Sequence, residues 1–344
     1  MHGITLNRQW LLARRPTGRL AMNDLVYATV AVDDQPLAAG EVRVRHTLFL
    51  CAPTMRNWMA PVPGSLHPTV ALGSPVLAPA GGRVIASAAP EMPVGTLVTG
   101  LGSWQDIQRY DAGALTVVSP GLSLIEAMGV VGINSLTAYF GMLRVGHPQA
   151  GDTVVVSGAA GSTGSVAAQI AKLSGCRVIG IAGDAAKCRW LIDECGLDAV
   201  IDYRNEDVSA RLAALCPEGI DVFFDNVGGT TLQAAVDNMA RHGRIVLCGQ
   251  IAGYEGDGPV VGPQNMMRLI YGSIVMQGFL GGDYAAENAA AQLDLKRWID
   301  AGVLKYRIDL RNGFDNLPVI FSSLFDGSNS GTLIAAIEHD AAVT

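Results

Sequence analysis

The feature that most constrains this chain begins at Thr153. From there short, wholly apolar strands alternate with amphipathic helices, and a glycine-rich turn joins the first pair. Thr153 to Ser157 reads as a strand, Ser162 to Leu173 as a helix, Arg177 to Ala182 as a strand and Ala185 to Cys195 as a helix. Ala199 to Tyr203, Ile220 to Asn226 and Gly243 to Gly249 continue as strands, with helices near Glu206 to Leu215 and Thr230 to Met239. Strands apolar on both faces leave no side for solvent, so the alternation demands a parallel sheet covered by helices above and below. Ser273 to Leu280 supplies a sixth strand and completes a doubly wound α/β sheet of the dinucleotide-binding type.

The flanks follow a different rhythm. The first ~120 residues carry short β-type runs, such as Glu41 to Leu50 and Gly82 to Ser87, separated by turns that include Pro61-Val62-Pro63-Gly64. Helical spacing takes over from Leu124 to Leu143, and Pro148 with Gly151-Asp152 marks the turn into the first apolar strand. Beyond the sixth strand the pattern predicts a helix over Tyr284 to Asp300, a strand over Arg307 to Leu310, a helix over Phe314 to Phe325 and a last strand over Gly331 to Ile337. A length of 344 residues suits two domains. They are expected as a β-rich domain over 1–124, completed by 309–344, and a nucleotide-binding domain over 125–308.

Composition removes several function classes. Hydrophobic residues make up 49% and charged residues 16%, which suits a buried α/β core and argues against disorder. With a net charge of −7 and no lysine/arginine stripe, nucleic acid is not an expected partner. The most apolar stretch, Leu115 to Val145, is interrupted by Pro120, Glu126, Asn134 and Arg144, so no membrane span is expected. The start lacks the apolar segment of a signal peptide, so a cytoplasmic protein is expected. Cys51, Cys176, Cys188, Cys195, Cys216 and Cys248 form no CxxC pair and read as reduced thiols.

In Ser157-Gly158-Ala159-Ala160-Gly161-Ser162-Thr163-Gly164 a strand ends and a helix opens. A helix N-terminus presents unpaired N–H groups and a positive dipole end, and glycines let a pyrophosphate approach the backbone. Gly158, Gly161, Ser162, Thr163 and Gly164 are therefore candidate cofactor-binding residues. A tight turn that binds nothing has the same local pattern; the rhythm that follows favours the cofactor. The residues leave the choice of nicotinamide cofactor open. Asp184 lies where NAD enzymes place an acid for the ribose diol, whereas Gly183 leaves room for a 2′-phosphate that Arg177, Lys187 or Arg189 would neutralise.

Several motifs carry a family resemblance. They are Gly132-Ile133-Asn134-Ser135-Leu136-Thr137-Ala138-Tyr139-Phe140-Gly141, the glycine turn, Phe224-Asp225-Asn226-Val227-Gly228-Gly229 and Gly243-Arg244-Ile245-Val246-Leu247-Cys248-Gly249. Leu72-Gly73-Ser74-Pro75-Val76 and Gly327-Ser328-Asn329-Ser330-Gly331 extend the match toward both ends. The chain resembles the zinc-free medium-chain dehydrogenase/reductase superfamily, and within it the leukotriene B4 dehydrogenase, prostaglandin reductase and curcumin reductase family. The resemblance implies NADP(H), a GroES-like β-rich catalytic domain beside the Rossmann domain, and hydride delivery to the β-carbon of an α,β-unsaturated ketone or aldehyde. It implies that Arg177 and Lys187 face the 2′-phosphate with Tyr203 nearby. It also places Asn226 and Cys248 along the cofactor, Phe279 and Leu280 at the carboxamide, and Asn329 reaching in from the tail. The resemblance also implies a homodimer joined through the Rossmann sheets, for which the apolar strand Ser273 to Leu280 is the expected edge.

Catalytic zinc in this superfamily needs a cysteine and a Gly-His-Glu segment. Cys51 stands near the cysteine position but no such segment follows, and His67 precedes Pro68, so no metal is expected. Without a metal, something must donate to the oxygen that turns into an enolate. Tyr254 matches the family's tyrosine near the substrate carbonyl, with the cofactor's ribose hydroxyl as the alternative donor. Thr54 and Met55 fall in the substrate-pocket segment. There the family's Asp-Pro-Tyr-Met-Arg is replaced by Ala52-Pro53-Thr54-Met55-Arg56, a loss of one aromatic. Arg56 reads either as a residue serving the fold or as one half of a surface salt bridge. Two rival activities stay open: quinone reduction, and cofactor binding without turnover.

Overall fold

Strand and helix signals in the first 130 residues translate into a curled antiparallel sheet. The computed structural model describes residues 6–61, 66–256 and 262–337. All but Pro61 of the turn expected at Pro61-Val62-Pro63-Gly64 lies outside them. Strands β1 (Leu6–Leu12) and β2 (Leu25–Ala31) pair antiparallel, followed by β3 (Glu41–Leu50), α1 (Met55–Met59), β4 (Leu77–Ser87), β5 (Leu97–Ser103), β6 (Ile107–Asp111), β7 (Leu115–Val117) and α2 (Leu124–Gly129). Burial along β3 alternates through Val42, Val44 and His46, and then every residue to Leu50 is buried. A strand with one wet face thus becomes one enclosed on both sides. Ser123 and Glu126 form a reciprocal capping box that starts α2 at Leu124.

Helix α3 (Ile133–Phe140) restarts after a break at Val130 to Gly132 and widens into a π-helical turn, Gly141–Gly146, that ends at His147 with φ 45°. The single helical stretch expected over Leu124 to Leu143 is therefore interrupted. Taken together, Leu124–Gly146 has the length and apolarity of a bilayer span, which the sequence reading did not anticipate; 67% of it is buried inside the protein, as in a core helix.

The alternating region then runs β8 (Thr153–Ser157), α4 (Ser162–Leu173), β9 (Arg177–Ala182), α5 (Ala185–Asp193), β10 (Ala199–Asp202), α6 (Val208–Leu215), β11 (Ile220–Asp225), α7 (Gly229–Asn238), β12 (Met239–Leu247), α8 (Met267–Gly272), β13 (Val275–Gly278) and α9 (Asn288–Asp300). Its sheet is ordered β10-β9-β8-β11-β12-β13, and its strand pairs are parallel. Counted from β8, that is 3-2-1-4-5-6, the doubly wound order, whose reversal lies between β8 and β11. The core under the sheet gathers Val155, Ile179, Ile181, Phe223 and Ile245 from successive strands. The helix expected from Tyr284 begins as a 3-10 segment, Gly281–Glu287, kinked at Tyr284.

The chain closes with β14 (Ile308–Asn312), α10 (Leu317–Asp326) and β15 (Thr332–Ala336). These strands join the antiparallel sheet in the order β14-β15-β3-β4-β5-β7, with β6 on β3. Residues Met1–Val130, Asp309–Asn329 and Leu333–Thr344 form one compact unit, and Val131–Ile308 with Ser330–Thr332 the other. The first unit's core packs Trp10, Phe49, Met55, Met59, Trp104, Phe314 and Phe321 together. Fold and composition agree: a mixed α/β protein with a sheet-rich part and a Rossmann sheet.

His46 sits 1% exposed in the first unit. Its Nδ1 lies 2.7 Å from the Gln105 carbonyl and its Nε2 2.7 Å from the Tyr110 hydroxyl. A carbonyl only accepts, so Nδ1 carries the hydrogen and Nε2 accepts from Tyr110. Burial holds the imidazole neutral and lowers its pKa from 6.5 to about 4. Between these values the unfolded chain binds a proton that the folded protein refuses. Stability therefore falls as pH drops from 6.5 toward 4, and this contribution changes no further below it. His46→Gln is expected to flatten this part of the stability profile by at most about 3 kcal/mol. Urea unfolding of both proteins across pH 7 to 4 measures it, and parallel profiles would refute it.

Candidate functional site

The carboxyl ends of β8, β9, β11 and β12 converge on the glycine turn, the place where open parallel sheets bind ligands. Gly158 takes a left-handed φ of 59° as the chain leaves β8. Gly161 caps α4 in extended geometry and donates to the Gly158 carbonyl at 3.0 Å. A Cβ on Gly164 would stand 2.3 Å from that same oxygen, so only glycine lets helix and turn close up. Ser162 accepts a 2.8 Å bond from Asn134, and Thr163 is half-buried beside it. No side chain caps α4. Its first-turn N–H groups, at Ser162, Thr163 and Gly164, have no intrahelical acceptor and lie at the positive end of the helix. By contrast Asp184 caps α5 and Asp207 caps α6.

Asp225, at the end of β11, organises the neighbouring loops. Its carboxylate is 1% exposed and accepts from Ser157 Oγ at 2.8 Å, from Val227 N at 3.0 Å and from Gly228 N at 3.0 and 3.1 Å. Burial raises its pKa against the pull of those donors. Its backbone carbonyl accepts from Cys248 and Gly249, which ties in the end of β12. Asn226 is pinned by its own N–H to Ser157 Oγ and by its side-chain amide to the Ser157 carbonyl. The loop after β12 bonds back through Ile251 N to Asn226 O and Ala252 N to Val227 O. In that loop the Tyr254 phenol accepts from Gln250 N at 3.1 Å and lies over Gly249. Burial pushes the Cys248 thiol up to about 12, so it is no nucleophile at neutral pH. Sequence reasoning missed the role of Asp225, although an acid closing the apolar run Val222-Phe223-Phe224 was a signal.

At the end of β9, Gly183 lies under the Tyr203 ring, with a Cβ there 2.7 Å from Tyr203 Cε1. Lys187, on the first turn of α5, keeps its ammonium 3.8 Å from Asp184 Oδ2. Asp184 has φ 81° and ψ 146°, a conformation that costs a residue with a Cβ about 1–3 kcal/mol. Gly183, Lys187 and Tyr203 thus cluster at one corner. Arg177 does not join them. It opens β9 beside Thr153, at the amino edge of the sheet, and donates to the Leu215 carbonyl at 2.8 Å. Five steps of extended chain, roughly 17 Å, separate it from Ala182. Strand direction alone held that answer.

Phe279 follows β13 and packs its ring against Gly141, whose added Cβ would stand 2.4 Å from Phe279 Cζ. Leu280, next along, is 70% exposed. Asn329 directly precedes Ser330–Thr332, where Gly331 makes a parallel bridge to Gly161. In the other unit, Thr54 is half-buried at the start of α1. Met55 is a correction: it is fully buried in the hydrophobic core beside Met59 and Val76, so it anchors α1 from within. Arg56 serves the fold, buried to 4% and donating to the Pro16 and Gly18 carbonyls.

A dinucleotide fits the second unit's corner: the uncapped glycine-lined helix start suits a diphosphate, and Lys187 with Tyr203 suits the adenosine end. Zinc does not fit. Cys51 is buried in the core with its thiol pushed up to about 12 by that burial, and no group of three or more metal-ligating side chains occurs among the described residues.

Comparison with known proteins bears on the whole chain. The family model described as zinc-binding dehydrogenase matches residues 162–295, and one described as the N-terminal domain of oxidoreductase matches 8–118. The NADPH-dependent curcumin reductase of Escherichia coli is 32% identical, covering 97% of this chain and 98% of that protein. The NADP-dependent 2-alkenal reductase of Nicotiana tabacum is also 32% identical, with coverage of 97% and 98%. Among solved structures, CurA of Vibrio vulnificus in complex with NADPH superposes with a TM-score of 0.89 at 34% identity, covering 97% of this chain and all of that one.

Lys187→Ala is expected to weaken NADPH about tenfold or more while leaving NADH within about twofold. Arg177→Ala should leave both unchanged. Fluorescence titration of each cofactor decides it, and an equal loss for NADPH and NADH in Lys187→Ala would remove the phosphate contact.

Proposed function

Because the chain belongs to the zinc-independent medium-chain dehydrogenases/reductases that include curcumin reductase, prostaglandin reductase and 2-alkenal reductase, we propose that it is an NADPH-dependent ene-reductase of α,β-unsaturated ketones and aldehydes. The observation that carries this reading is the uncapped start of α4 beside loops held by Asp225, with a phenol among them. NADPH, when bound, supplies the hydride that the β-carbon receives. The N–H groups of Ser162, Thr163 and Gly164 would hold its diphosphate, and Lys187 and Tyr203 the 2′-phosphate end. Asn226, fixed through Ser157, would border the nicotinamide ribose, with Phe279 and Leu280 toward the carboxamide.

Hydride addition to the β-carbon moves negative charge onto the carbonyl oxygen. Tyr254 donates a hydrogen bond to that oxygen, lowering the barrier without a metal. A rigid donor is worth more than a mobile one, and the bond from Gln250 N sets the phenol's position.

Tyr254→Phe is expected to lower kcat about ten- to a hundredfold with cofactor affinity unchanged. The measurement is NADPH consumption over a panel of enones, alkenals and quinones. Turnover equal to wild type would dismiss the donor role, and turnover confined to quinones would dismiss the ene-reductase.

The assembly we infer is a homodimer joined along β13. This strand is the sheet's edge, and Val275, with Met266, Met267, Ile270 and Tyr271 on and before α8, is exposed. Six unpaired thiols support a reducing compartment, the cytoplasm. A Val275→Lys/Tyr271→Glu variant is expected to sediment as a monomer where the wild type sediments as a dimer; a monomeric wild type would overturn the assembly.

A further inference from the structure

The acid at the adenosine corner is unused by the function above. Asp184 keeps a left-handed φ of 81° directly after Gly183, a place where a side chain is conformationally costly. Its carboxylate accepts from Lys187 N at 2.9 Å and lies 3.8 Å from Lys187 Nζ, while its own N–H points to Asp202 Oδ1 at 3.4 Å. The one ammonium on this turn is therefore already faced by a carboxylate. A 2′-phosphate arriving here must share Lys187 with Asp184 and bear the repulsion of like charge. A ribose 2′-hydroxyl meets the opposite situation, because an ionised carboxylate is the acceptor it needs.

We propose that Asp184 is a specificity-determining residue that holds down the preference for the 2′-phosphate, so that this enzyme draws on NADH as well as NADPH. The proposal rests on the reading that the corner after β9 takes the adenosine end of the cofactor. Lys187 supplies the attraction for the phosphorylated form and Asp184 the acceptor for the diol. Both contacts sit on one helical turn, with Asp202 and Arg204 also facing Asp184, so removing the Asp184 charge shifts the balance of the corner toward the phosphate.

The test is calorimetric titration of adenosine 2′,5′-bisphosphate and of adenosine 5′-monophosphate into wild type, Asp184→Asn and Asp184→Gly, with KM for NADPH and NADH measured beside it. Asp184→Asn keeps the side chain's size and its acceptor for Lys187 N but removes the charge. Wild type is expected to bind both nucleotides, and to use NADH with a KM within about thirtyfold of that for NADPH. Asp184→Asn should shift the affinity ratio toward the bisphosphate about tenfold, with Asp184→Gly shifting it as far or further. The KM values should follow while kcat stays constant. A ratio that moves less than about threefold in Asp184→Asn overturns the proposal even if Asp184→Gly moves, because the backbone and not the charge would then be responsible. Wild type that binds neither nucleotide overturns the adenosine corner itself and the proposal with it; wild type that binds both with an unmoved ratio overturns only the role of Asp184.

Discussion

One buried carboxylate holds the carboxyl edge of the Rossmann sheet together. Asp225 reaches Ser157 at the end of β8, the N–H groups that open α7, and through its own carbonyl the residues that end β12. Taking a carboxylate out of water costs several kcal/mol, and bonds from donors of this kind are worth about 1.5–3 kcal/mol each. The converging donors offset much of that cost, and burial still leaves the carboxyl's pKa raised. The same bonds place Asn226, Gly228 and the Tyr254 loop, so the positions at which chemistry is proposed depend on this interaction and not on their own side chains.

The helix starts divide their labour. Side-chain oxygens from Ser123, Asp184 and Asp207 close the N-termini of α2, α5 and α6. Glycine stands at the caps of α4 and α7 and offers no such oxygen. A helix start without an internal acceptor must find an external one, and at α4 the fold directs those amides to the spot where the sheet order reverses. Binding capacity here is the consequence of a cap withheld.

The rhythm from Thr153 onward was legible because fully buried parallel strands are continuous apolar runs and each turn is punctuated by glycine. β8, α4 and β9 have the expected bounds. Elements with weaker punctuation moved: β12 begins at Met239 rather than Gly243, and the stretch after Leu124 breaks before Ile133. Of the candidate site residues, those adjacent in sequence to the glycine turn or to Gly183 could be grouped by eye. Arg177 and Met55 could not, since a charge at a strand's first residue and a methionine on a short helix look alike whether they face a ligand, a carbonyl or the core.

The sequence by itself determined the doubly wound α/β class, the glycine turn and the lack of a Gly-His-Glu zinc segment, because these depend on local pattern and residue identity. Only the tertiary structure decided which end of β9 a basic residue occupies, that Asp225 faces inward to join three strands, and that Asp184 confronts Lys187. The first two belong to strand direction and to contacts between segments distant along the chain, and the third to the positive φ that Asp184 adopts at the start of α5. The free energy that settles them comes from burial and hydrogen bonding across the fold, which no local pattern records.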